Sequence, residues 1–151
     1  MIGHAHDLTA PNLTLPGVSG GTFNPADFRG QRLALFLCPD DPEEAAREIE
    51  GWRALVDHFQ DAGVWLLGIA HDRVPEECLS DKAGRHIAIA RDSDSRLRSL
   101  LMPHFASGQD GATPDPASGG AFLFERWGCL DRAWPSPGHA PDVLRAATEH
   151  R

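Results

Sequence analysis

Two uninterrupted apolar runs, Leu33–Cys38 and Val64–Ala70, constrain this chain more than any other feature of it. Runs this short and continuous suit strands with both faces covered. Pro39 ends the first run. Asp41 then suits a helix N-cap, Pro42 the first helical position, and Glu44 the third, where a capping box places an acid. Ala45, Ala46, Ile49, Trp52, Val56 and Phe59 recur at helical spacing, and Gly63 ends that element. Strand, helix and strand in this order predict a βαβ unit with parallel strands.

The remaining chain extends the pattern. A helix is expected from Pro75 to about Ala83 and a short strand over Ile87–Ala90. Ser93–Leu101 reads as a helix with Leu97, Leu100 and Leu101 on its apolar face. Ser107–Gly119 is a polar loop, Gly120–Phe124 a strand, Cys129 to Trp134 its return strand, and Pro141–His150 a closing helix. Leu13–Gly30 reads as short strands around a turn at Gly20-Gly21. Trp52 and Trp65 fit core positions, whereas Trp127 and Trp134 lie near the hairpin and suit an interface. A length of 151 residues, 41% of them hydrophobic, predicts one domain over 1–151.

A formal net charge of -8 argues against nucleic acid and against acidic membrane surfaces. No stretch of about 20 apolar residues is present. Met1–Ala10 lacks the charged and apolar regions of a signal peptide. Three cysteines, Cys38, Cys78 and Cys129, are too few and odd in number for a secreted disulfide framework. These features predict a cytoplasmic protein with no nucleic-acid or membrane partner. The eight histidines show no metal-ligand spacing, and His4-Ala5-His6 lies in a terminal segment. Neither metal nor cofactor is expected. The absence of C-x-x-C excludes dithiol exchange at one site. No G-x-S-x-G is present either, which leaves a Ser/His/Asp site open but unmarked.

Several segments resemble the peroxiredoxins, the alkyl hydroperoxide reductase and thiol-specific antioxidant family. Ala10-Pro11-Asn12-Leu13-Thr14-Leu15 is similar to that family's "APDFTL", and Phe28-Arg29-Gly30-Gln31 to its "FRGK". Gly63-Val64 with Leu67-Gly68-Ile69-Ala70-His71-Asp72 is similar to "GV..LGIS.D". Ala90 to Asp94 resembles "..SD.D", and Ala121-Phe122-Leu123-Phe124-Glu125 resembles "TFLID". The resemblance implies an α/β chain of thioredoxin-like fold: three α/β/α layers around a central mixed sheet. It also implies a homodimer, and it leaves room for an unidentified protein partner.

The family resemblance further implies a site made of three parts. A cysteine in the first turn of the helix after the first core strand has its pKa lowered by the helix end. A Thr or Ser three residues earlier holds the peroxide, and an Arg ahead of "TFLID" stabilises the thiolate. Counting from Pro39 puts the cysteine at Ala46 and the hydroxyl at Glu43. Counting back from Gly63 puts them at Ala45 and Pro42, with Glu48 at the acidic position three residues on. The Arg falls on Gly119. Either count leaves a vestigial site of Pro39, Glu43, Ala45, Ala46 and Gly119 without its three working groups.

Phe36-Leu37-Cys38-Pro39 looks locally like the family's "FVCP", but Cys38 lies too far before Gly63 for that motif. Asp40, Asp41, Glu43 and Glu44 follow it and are expected to raise its pKa. Three functions compete. The first is a binding or regulatory protein that has lost thiol peroxidase chemistry. The second is a redox enzyme using Cys38, with Cys78 as a resolving thiol. The third is an enzyme of unrelated chemistry. The fold alone does not choose among them.

Overall fold

A computed structural model describes residues 9–18, 20–71, 74, 87–93, 95–101 and 119–149. The two apolar runs form neighbouring strands, β3 (Arg32–Leu37) and β4 (Val64–Ala70), after a small ribbon of β1 (Leu15–Pro16) and β2 (Thr22–Phe23). β5 (Ala88–Arg91), β6 (Gly120–Phe124) and β7 (Leu130–Trp134) complete a sheet of order β5-β4-β3-β6-β7. β3, β4 and β5 run parallel, and β6 and β7 run antiparallel to their neighbours. The sheet is therefore mixed, as the thioredoxin-like fold requires.

Both faces of β3 are buried, which explains its unbroken apolar sequence. Ala34, Phe36 and Cys38 face one cluster with Ile49, Trp52, Phe59 and Val143. Leu33, Leu35 and Leu37 face the other with Leu67, Ile69, Leu97 and Phe122. Helices α1 (Pro42–Arg53), α2 (Val56–Asp61) and α4 (Ala140–Glu149) cover the first face, and α3 (Arg96–Leu101) covers the second. Gly68 makes room for this packing. A Cβ at Gly68 would lie 2.6 Å from the Phe36 ring. Phe36 stacks on Trp52 at 4.6 Å between centroids, with the planes 8° apart.

The structure departs from the sequence expectations at defined places. The helix expected between β3 and β4 breaks into α1 and α2, because Leu55 leaves helical geometry at ψ 7°. Trp65 is not a core residue: it is 52% exposed, with Phe28 at 6.2 Å as its ring partner. Leu100 is exposed as well, since α3 turns Leu97, Arg98 and Leu101 inward instead. Trp134 packs against the first cluster, whereas Trp127 stands in solvent. The expected helix from Pro75, with Cys78 on it, and the loop from Ser107 to 118 lie outside the described residues.

Candidate functional site

The ends of β3 and β4, the start of β6 and the first turn of α1 meet at one end of the sheet. Carboxyl ends of parallel strands are where open α/β sheets form their sites. Pro39 turns the chain out of β3, and Asp41 caps α1 by accepting the Glu44 N–H at 3.1 Å. That first turn carries Glu43 and Glu44 into solvent and Ala45 into the core, while Ala46 is half-buried.

Cys38 is wholly buried at the strand end, and its N–H donates to the Ile69 carbonyl at 2.8 Å. Burial pushes its thiol up from 9.0 to about 12; the Glu48 carboxylate adds to the rise and the Arg98 guanidinium opposes it. The expected direction holds, but the cause differs from the expected one. Desolvation and Glu48 act, not the run of Asp40, Asp41, Glu43 and Glu44.

Asp40 is engaged elsewhere. Arg98 Nη1 donates to its Oδ1 at 2.8 Å, and Arg98 Nη2 donates to the Cys38 carbonyl at 3.0 Å. Asp92 sets this arginine in place. Its carboxylate, itself buried, accepts the Leu97 N–H at 3.1 Å and the Arg98 N–H at 2.9 Å. The sequence reading missed Arg98. The signal available was an Asp ahead of a short helix in which Arg98 stands between Leu97 and Leu100. Nothing linear ties that arginine to a strand end 60 positions away.

Glu48 is buried one turn beyond Ala45. Its Oε2 accepts Trp52 Nε1–H and its Oε1 accepts the Gly138 N–H, both at 2.8 Å. It thereby fastens α1 to the loop before α4. Gly119 closes the opposite side. Its φ is +97°, and a Cβ there would lie 2.7 Å from the Leu37 carbonyl oxygen. No side chain fits at 119 with this backbone; the guanidinium bound at the end of β3 is that of Arg98, while Arg91 Nη1 donates to the His71 carbonyl just past β4 at 2.9 Å. Cys129 is a half-buried thiol beside the turn between β6 and β7.

Comparison with known proteins agrees with this architecture. A protein of Coxiella burnetii provisionally named peroxiredoxin bcp is 25% identical over 140 residues, covering 89% of this chain and 93% of that protein. A peroxiredoxin Q structure from Xanthomonas campestris superposes with a TM-score of 0.73 at 24% identity, covering 96% of this chain and 98% of its own. A secreted Mycobacterium tuberculosis disulfide oxidoreductase superposes with a TM-score of 0.62 at 13% identity, covering 91% and 96%. These structural likenesses show the thioredoxin-like fold. The AhpC/TSA family model matches residues 7–102, more than half of the sequence. The chain belongs to the AhpC/TSA family, the peroxiredoxin-like branch of thioredoxin-fold proteins.

Proposed function

We propose that this chain keeps the peroxiredoxin scaffold without thiol peroxidase chemistry and works by binding a protein partner. The observation that carries the reading is Ala45, wholly buried in the first turn of α1. On this reading Ala45 stands where the family's reactive cysteine would be, with Glu48 one turn on. The sulfur nearest in sequence, Cys38, sits under desolvation that holds its thiol at about 12. Peroxide reduction begins with a thiolate attacking an oxygen to form a sulfenic acid. A thiol so raised is almost wholly protonated near neutral pH.

Trapping of sulfenic acid after a peroxide titration, read by mass spectrometry, tests this directly. The expected result is no stoichiometric adduct at Cys38 or Cys78, and a rate of peroxide loss no faster than a free thiol gives. A stoichiometric adduct at either cysteine with turnover overturns it in favour of a redox enzyme.

A further inference from the structure

At the start of α4, Ser136, His139 and Asp142 form a continuous hydrogen-bonded chain. Ser136 Oγ lies 2.9 Å from His139 Nε2, and His139 Nδ1 lies 2.8 Å from Asp142 Oδ2. An ionised carboxylate only accepts, so Nδ1 donates to Asp142, and in the neutral ring Nε2 then turns its lone pair to the hydroxyl. That is the tautomer a general base needs to take a proton from a nucleophilic serine. Arg145 Nη1 lies 3.6 Å from the other Asp142 oxygen.

The chain is anchored from beneath and open from above. Glu48 holds the Gly138 N–H, between Ser136 and His139, at 2.8 Å. Ser136 is exposed, and the His139 and Asp142 side chains are 29% and 43% exposed. The relay lies at the positive end of α4, where the Ala140 and Asp142 N–H groups have no partner within the helix and Pro141 has none to offer. The same helix forms one wall of a neighbouring groove of about 470 Å³, which mixes Leu55, Ala62 and Leu144 with His58, Asp61 and Arg145.

We propose that Ser136, His139 and Asp142 form an acyl-transfer site that hydrolyses short-chain carboxylic esters. Ser136 Oγ attacks the ester carbonyl carbon as its proton passes to His139 Nε2. The bond to the alcohol oxygen breaks, and His139 returns the proton to the leaving alkoxide. Water then attacks the acyl-serine, gives its proton to His139, and releases the acid as Ser136 recovers its proton. Asp142 is the positioning residue that holds the tautomer. Ser136 is exposed, so a small ester reaches its Oγ from solvent. This site is independent of the family site, because it uses no sulfur.

The rival reading is a network that merely ties the loop to the helix, and labelling separates the two. The full chain is treated with a fluorophosphonate, which forms a bond from Ser136 Oγ to phosphorus with loss of fluoride, and with p-nitrophenyl acetate. One adduct is expected, mapped to Ser136 and absent in Ser136→Ala. Asp142→Asn is expected to slow labelling and to lower kcat about tenfold or more at unchanged KM and unchanged circular dichroism. No adduct at Ser136, equal ester hydrolysis by Ser136→Ala, or a folded Asp142→Asn with the wild-type rate overturns the proposal. Ser136→Ala also leaves sulfenic-acid trapping as it was, so the two readings fail separately.

Discussion

Cys38 at the end of β3 and Ala45 in the first turn of α1 are both wholly buried, yet their surroundings differ in kind. The strand end holds a sulfur with its N–H and carbonyl already bound and its thiol pushed up to about 12. The helix start offers the positive end of a dipole, but the side chain there is a methyl group. One place has the atom and the other has part of the setting. A nucleophilic cysteine is made by where the chain places it, and on the proposed reading a thiol seven residues away in sequence is no substitute.

The largest effect should come from removing the group that seals the strand end. Arg98→Met deletes the bonds to Asp40 and to the Cys38 carbonyl. Hydrogen bonds to charged groups contribute about 1.5–3 kcal/mol each. The Asp40 side chain keeps 23% exposure and recovers some hydration, so we expect a loss of about 2–3 kcal/mol in urea unfolding. A loss under about 0.5 kcal/mol would mean that packing alone closes this end, and would break the contrast at its source.

The second effect belongs to Cys38 itself and has a sign. Its folded pKa is raised, so between pH 9.0 and about 12 the unfolded thiol is ionised while the folded one keeps its proton. The unfolded state then binds fewer protons, and stability falls as pH rises through that window, by up to about 1.4 kcal/mol per unit. Cys38→Ala removes this slope, while Cys78 and Cys129 stay common to both proteins. Urea titrations near neutral pH and at about pH 10 should therefore show the stability gap between wild type and variant changing in favour of the variant. A gap independent of pH would show that the thiol is not desolvated as the fold implies.

How much of this was legible in the sequence follows from what each feature depends on. β3 and β4 were readable because a strand buried on both faces is apolar almost throughout, and local signals bound them, Pro39 after β3 and Gly63 before β4. The α1 cap was readable because Asp41, Pro42 and Glu44 act locally. Trp65 misled, because its side chain stays 52% exposed, with Phe28 and Gln31 as its partners. Leu100 misled because the inward position on α3 goes to Arg98, whose partners are Cys38 and Asp40. Ala45, Glu48 and Gly119 were found by counting against a family pattern, which gives positions. It does not give contacts, so the bond from Gly138 to Glu48 was invisible.

The smallest effect is expected from placing a cysteine at the helix start. In a Cys38→Ala background, Ala45→Cys gains the helix dipole, an effect of about 0.3–1 kcal/mol. One pKa unit is about 1.4 kcal/mol, so the dipole alone lowers the thiol by less than one unit. Burial works the other way, since Ala45 has no exposure and a thiolate there would lose its hydration. Asp41, Glu43 and Glu44 add negative charge to the same turn. Arg98 is committed to Asp40 and the Cys38 carbonyl, and Gly119 leaves no space for a second guanidinium. The pH dependence of alkylation should therefore give a thiol at or above the free value of about 8.5, with no gain in peroxide consumption. A value below about 7 with rapid turnover would show that the helix start activates sulfur by itself. The contrast between the two places would then reduce to the side chain at position 45.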